Sequence, residues 1–181
     1  MPIEIRRAEL ADVPMLAALI ATSARALSVN DYTSEQIEAA LQGAWGVDSE
    51  LIRDGTYFVG VADGQAVLCG GWSRRATTFG GDAYTQRESR LLDPHTEAAR
   101  IRAFFVHPDW ARRGLATQLL SLCESEAKTA GFTTAELVAT LPGEPFYARH
   151  GYTAFDRRSY DLPAGVRIDF VPMQRRLQPT A

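Results

Sequence analysis

A mixed α/β sheet domain is what this sequence predicts, on three observations. Period-2 alternation recurs at widely separated points, amphipathic helical stretches lie between them, and an Asp63-Gly64 dipeptide joins two runs rich in β-formers. The 181 residues suit one domain, 1–181, because a single core of its own is affordable at this length. Hydrophobic residues make up 46% and charged residues 23%, the composition of a globular chain and not of a disordered one.

Taken in order, Ile3 and Ile5 alternate with Glu4 and Arg6 as a short strand. From Asp12 to Leu27 a helix carries Leu16, Leu19, Ile20, Ser23 and Leu27 on one face, with Pro14 tolerated in its first turn. Thr33-Ser34-Glu35-Gln36 reads as a capping box opening a second helix. Tyr57 to Ala62 and Ala66 to Trp72 form a hairpin about Asp63-Gly64, and Gly70-Gly71 marks a bulge or a close backbone approach. Ser73 to Glu97 has no sustained period and reads as a long loop.

Arg100 to Val106 alternates again. It is expected to show Arg100, Arg102, Phe104 and Val106 on one face and Ile101, Ala103 and Phe105 on the other, and to end at Pro108. A helix from Asp109 to Ala130 stops at Gly131, a strand follows at Ala135 to Thr140, and Pro145 to His150 makes a short helix. Strands at Tyr152 to Tyr160 and Val166 to Leu177 complete the order β α α β β β α β α β β.

The formal charge of −3 gives no general reason to bind nucleic acid or an anionic membrane, so any anion site must be local. Cys69 and Cys123 sit in apolar runs as buried thiols, and with three scattered histidines they make no metal site. No charge-poor run of ~18 apolar residues is apparent and the start lacks a signal core, so a cytoplasmic protein with no membrane partner is expected.

The local chemistry concentrates at Val106-His107-Pro108-Asp109-Trp110-Ala111-Arg112-Arg113-Gly114-Leu115-Ala116, a strand running through a tight turn into a helix. A helix N-terminus offers unpaired N–H groups to phosphate, Gly114 and Ala116 leave room for it, and Arg112 and Arg113 add charge. No Lys-Ser/Thr follows the turn, which argues against a P-loop hydrolase. Further along lies Phe146-Tyr147-Ala148-Arg149-His150-Gly151-Tyr152.

Together these two segments resemble the GNAT family of N-acetyltransferases. Its Gln/Arg-x-x-Gly-x-Gly/Ala signature, following a strand and Val-x-Pro, is similar to Val106 to Ala116, and its Phe-Tyr-x-x-x-Gly-Phe/Tyr signature to Phe146 to Tyr152. The resemblance implies a central sheet with two splayed strands flanked by helices, and acetyl-CoA as co-substrate without a metal. It implies donor contacts from Phe104, Phe105 and Val106, a diphosphate on Arg112, Arg113, Gly114, Leu115, Ala116 and Thr117, and Tyr147 as the proton donor to the leaving thiolate. A backbone N–H near Phe105 or Val106 would hold the oxyanion.

Three departures stand out. Ala111 replaces the usual Gln or Arg. Thr140 occupies the place of an Asn that contacts the pantetheine arm. Arg100 and Arg102 stand where several members put a Glu or His, which leaves no general base and suggests contact with an anionic group on the acceptor. Salt bridges to Glu88, Asp93 or Glu97 are the alternative for those arginines. The acceptor is expected to be a primary amine of a small molecule. A CoA-binding sensor without turnover is the rival reading, and a homodimer is left open.

Overall fold

The computed structural model describes residues 2–179. Its core is one sheet. Strand β1 (Glu4–Arg7) pairs with β2 (Tyr57–Ala62), and the sheet continues through β3 (Gln65–Ser73), β4 (Ala99–Val106), β5 (Thr134–Ala139), β8 (Arg167–Arg176) and β6 (Thr153–Ala154). Strand β7 (Arg158–Asp161) joins the first half of β8. Every pairing is antiparallel except β4 with β5. Helices α1 (Val13–Leu27) and α2 (Ser34–Ala40) cover one face, and α4 (Leu115–Thr129) covers the other. The short helices are α3 (Ser49–Arg53) and α5 (Glu144–Arg149).

Local sequence sets several of these elements. Asp63 and Gly64 both take positive φ, 50° and 75°, as a two-residue hairpin turn requires. In α2 the capping box forms both ways: Gln36 N–H donates to Thr33 Oγ1 at 3.1 Å, and Thr33 N–H donates to Gln36 Oε1 at 3.0 Å. Helix α1 turns Leu16, Leu19, Ile20 and Ala24 onto the sheet, each large side chain contributing ~1.5–3 kcal/mol by leaving water. Leu27 departs from expectation, being 42% exposed at the end of α1. The stretch Leu10–Leu27 is by length and composition long and apolar enough to cross a membrane, contrary to expectation, yet its apolar side is the one packed on the sheet.

Other segments differ from expectation, among them α4, which begins at Leu115 and not at Asp109. Helix α3 has only five residues, too few for periodicity to reveal; Asp48 starts it by accepting the Glu50 N–H at 3.0 Å. The strand expected over Tyr152 to Tyr160 is two short ones. The long loop of 74–98 folds back on the segment before α3, where Gly81 N–H donates to Gly43 O at 2.8 Å and Asp82 N–H to Val47 O at 2.9 Å. A Cβ on Gly81 would strike the backbone of Gly46, so the two loops touch backbone to backbone.

Candidate active site

The expected alternation of β4 fails in the middle. On β3, Cys69 faces Phe105 and Gly71 faces Arg102, so Gly70 alone stands opposite both Ala103 and Phe104. That is a β-bulge, with Ala103 at φ 54° as the extra residue. The Tyr57 hydroxyl pins it by donating to Ala103 O at 2.9 Å. Gly70 is required beside it, because a Cβ there would overlap the Phe104 ring.

An inserted residue shifts the phase of everything after it. Phe104 and Val106 therefore pack with the α4-side core, while Ala103 and Phe105 pack on the α1 side. Arg102 does not share their face as expected; it lies on the α1 side, before the bulge, with its guanidinium turned to Asp48 and the loop at Thr77 and Gly80.

Strands β4 and β5 pair only at Ala99–Ala135 and Arg100–Glu136 and then part. Into the gap opens a cavity of about 750 Å³. Its walls include Leu115, Phe104, Val106 and Tyr147 from the α4 side and Ala24, Trp45, Phe105 and Phe170 from the α1 side. The cavity thus runs through the sheet, between the two strands, from one helical layer to the other.

At its α4 end the chain leaves β4 through a 3-10 turn, Pro108–Trp110, and enters α4 with Gly114 at φ 81° as a cap that has no side chain. Arg112 is also left-handed, at φ 63°. Residues alternating between hands in this way turn successive N–H groups to one side. Among the described residues no protein acceptor takes the N–H groups of Arg112 to Thr117. A Cβ on Gly114 would meet nothing within 4 Å, so the space before these groups is open. Such an end binds an anion such as phosphate.

Arg112, Gly114, Leu115, Ala116 and Thr117 line the cavity, as do Phe104, Phe105, Val106, Thr140 and Tyr147. Arg113 does not: its guanidinium lies 4.8 Å from the Trp110 ring centre, stacked on the indole. The Thr140 hydroxyl accepts the Gly143 N–H at 3.1 Å and so shapes the turn into α5. Arg149, given no role from sequence, adds a second guanidinium to the wall near that turn.

Tyr147 is packed among Phe104, Phe146 and Tyr152, with ring centres 6.3, 5.0 and 5.8 Å away. Its hydroxyl has no hydrogen-bond partner among the described residues, and the half-buried side chain belongs to the cavity wall. Burial, and secondarily Cys123, pushes the phenol above its ordinary pKa of 10.0, so it stays protonated at neutral pH. Because His107 N–H donates to Val67 O at 2.9 Å, alternation along the strand turns the Val106 N–H to the opposite, cleft-facing edge.

The expectation that Arg100 and Arg102 meet an anionic acceptor is corrected by their partners. Arg102 is 3% exposed; it donates to Asp48 Oδ2 at 2.9 Å and to Gly80 O at 2.8 Å. Arg100 pairs with Glu136 and donates to Ala98 O, and it does not line the cavity. Both charges are already matched inside the protein, though by Asp48 and Glu136 and not by the loop acids expected. Among the aromatics of this half, Trp45 lines the cavity; Tyr32 is buried behind it, Tyr84 packs on Phe79, and Trp72 lies under α4 bonded to Glu126.

Residues 89–177 match the family model described as an acetyltransferase (GNAT) domain. Over that segment the chain carries a GNAT acetyltransferase domain. No curated protein matches it by sequence. Among solved structures it is similar to a GCN5-related N-acetyltransferase from Rhodopseudomonas palustris, with 21% identity, a TM-score of 0.71, and 98% of this chain and 97% of that one covered. It is also similar to the PaiA N-acetyltransferase of Thermoplasma acidophilum in complex with coenzyme A, at 16% identity, TM-score 0.64, and 97% and 99% coverage. The ribosomal-protein-S18-alanine N-acetyltransferase of Escherichia coli matches at 15% identity and TM-score 0.59, over 99% and 97% of the two chains.

At these identities the neighbours show the fold alone, the GNAT fold. The matched GNAT segment holds Phe105 and Phe170 but begins after the rest of the α1 end of the cavity. Ser23, Leu27, Trp45 and Phe79 all precede it, so the family resemblance leaves that end undetermined.

Proposed function

We propose that this chain transfers an acetyl group from acetyl-CoA to a primary amine of a small molecule, by direct attack within a ternary complex. The observation that carries this is the through-sheet gap between β4 and β5, with the uncapped N-terminus of α4 at one end. In this reading the diphosphate rests on the N–H groups of Arg112 to Thr117, with Arg112 and Arg149 supplying charge. Arg113 supplies none there, because it is stacked on Trp110.

The pantetheine arm lies along the free edge of β4 at Phe104 to Val106, and Thr140 borders it. The amine nitrogen attacks the thioester carbonyl, forming the C–N bond, while the Val106 N–H holds the oxyanion. The C–S bond then breaks, Tyr147 gives its proton to the sulfur, and the amine's surplus proton passes to water, which returns a proton to the phenolate.

CoA is expected to raise the melting temperature, since a ligand present at 100 times its Kd and bound only by the native state adds about 2.7 kcal/mol. No shift and no heat of binding would sink the proposal. A second outcome separates it from a sensor: CoA binding without amine-dependent release of CoA thiol would make the chain a binding module. Gly114→Asp is expected to weaken CoA binding by more than about tenfold, since it puts a carboxylate into the open space before the N–H groups. Gly114→Asn is the control, as Asn tolerates a left-handed φ equally well but carries no charge. Equal losses in the two variants, read by calorimetry, would mean the backbone and not the charge was responsible.

A further inference from the structure

The chemistry of the cavity's α1 end is specific enough to name a class of acceptor, granted the acetyl-transfer reading above. Its walls are Ala24, Leu27, Trp45, Phe79, Phe105 and Phe170. The polar side chains on that side are Ser23 and Ser28 from α1 and its cap, and neither hydroxyl makes a hydrogen bond among the described residues. Charged side chains lining the whole cavity are Arg102, Arg112 and Arg149; no Asp, Glu, Lys or His lines it among the described residues.

Four carboxylates behind or beside this end are held by other side chains. Asp48, 1% exposed, is held by Arg102 and Arg87 at 2.9 and 2.8 Å. Glu136 is held by Arg100, Asp82 by Ser49, and Asp169 beside Phe170 by Ser159. Of the phenols behind the wall, Tyr57 donates to Ala103 O and Tyr32 to Asp169 O.

An ammonium entering this end would lose its hydration with no anion to replace it, and aromatic faces return only part of that loss. A carboxylate would find the Arg102 charge already matched by Asp48. Nor does any side chain there stand ready to take a proton from the attacking nitrogen. Both observations favour an amine that is uncharged before it binds and carries an apolar body. We propose that the acceptor is an aromatic amine of low basicity, its ring among Trp45, Phe79 and Phe170 and its nitrogen directed to the gap between β4 and β5.

The test is release of CoA thiol from acetyl-CoA with four amines: aniline, benzylamine, a linear polyamine and glutamate. At neutral pH, kcat/KM for aniline is expected to exceed that for the polyamine and glutamate by at least about tenfold, since burying a charged group without a partner is so unfavourable. From about pH 6 to about pH 9 the aniline profile should be flat, and benzylamine should rise about tenfold per pH unit with its own neutral fraction. Leu27→Glu sets a carboxylate at the partly exposed edge of the wall and should narrow the preference for aniline over benzylamine by about tenfold.

Preference for the polyamine or glutamate, an aniline profile that falls below about pH 7 as a protein base would make it fall, or no change in Leu27→Glu would overturn the assignment. If no amine in the panel released thiol, the transferase reading itself would fall and take this one with it. Turnover of the polyamine or glutamate without the aromatic amines would remove the acceptor class alone.

Discussion

Tyr147→Phe is expected to lower kcat on the order of 10² to 10⁴-fold while leaving CoA affinity and stability nearly unchanged, the range for a lost proton donor. The substitution keeps the ring that packs against Phe104, Phe146 and Tyr152, and it removes a hydroxyl bonded to no protein group among the described residues. Little in the folded state therefore depends on that oxygen. The raised phenol pKa bears on the mechanism as well. A thiol ordinarily titrates near 8.5, so full transfer to a free thiolate from a more basic phenol runs uphill. The proton is then given as the C–S bond opens, when sulfur is bonded to both carbon and hydrogen in part.

The sign of the pH effect follows. Because burial raises the phenol pKa, the donor form persists through the ordinary value of 10.0, and Tyr147 should impose no alkaline fall in rate below it. A Phe variant turning over at the unsubstituted rate, with the melting temperature measured alongside, would reduce Tyr147 to a packing residue.

Asp48→Ala is expected to destabilise the protein by ~3–5 kcal/mol, because it strands a buried guanidinium rather than merely deleting a contact. Arg102 cannot move into water to recover its hydration: it is 3% exposed and already bonded to Gly80 O. Its Nε is buried without a partner even in the intact protein, so it has little reserve. The same carboxylate holds Arg87, which in turn donates to Gly80 O and Gly81 O at 3.2 and 3.0 Å. Losing it should also loosen the loop that carries Phe79. Urea denaturation reads the first effect. Replacing Asp48 and Arg102 together by apolar residues of similar size should recover much of the loss, since the buried guanidinium goes with its partner and Arg87, less deeply buried, still has Glu50 at 3.5 Å. A cost below ~1 kcal/mol for Asp48→Ala would show the pair to be screened as a surface pair is.

Local signals in the sequence were enough for the hairpin at Asp63-Gly64, the capping box at Thr33, the strand-turn-helix at Val106 to Ala116 and the helix carrying Tyr147. Each depends on residues a few positions apart: positive φ angles, a side chain reaching back one turn, an uncapped helix start. The family signatures lie on these same local elements, which is why the phosphate end of the site was legible.

The acceptor end was not, for reasons equally physical. Alternation put Arg102, Phe104 and Val106 on one face, but a bulge set by Gly70 and Tyr57 inserts Ala103 and turns the later residues over. The place of Arg102 on its strand offered it to an acceptor, whereas Asp48, 54 positions earlier, had already claimed it. Trp45, Phe79 and Phe170 come from three distant segments with no shared period. What the sequence determined by itself was the identity of most elements and the donor-side turn, because those follow from short-range geometry. Which side chains share a wall, and which charges are spent, was decided only by tertiary packing, because pairing across the sheet joins residues that no local pattern relates.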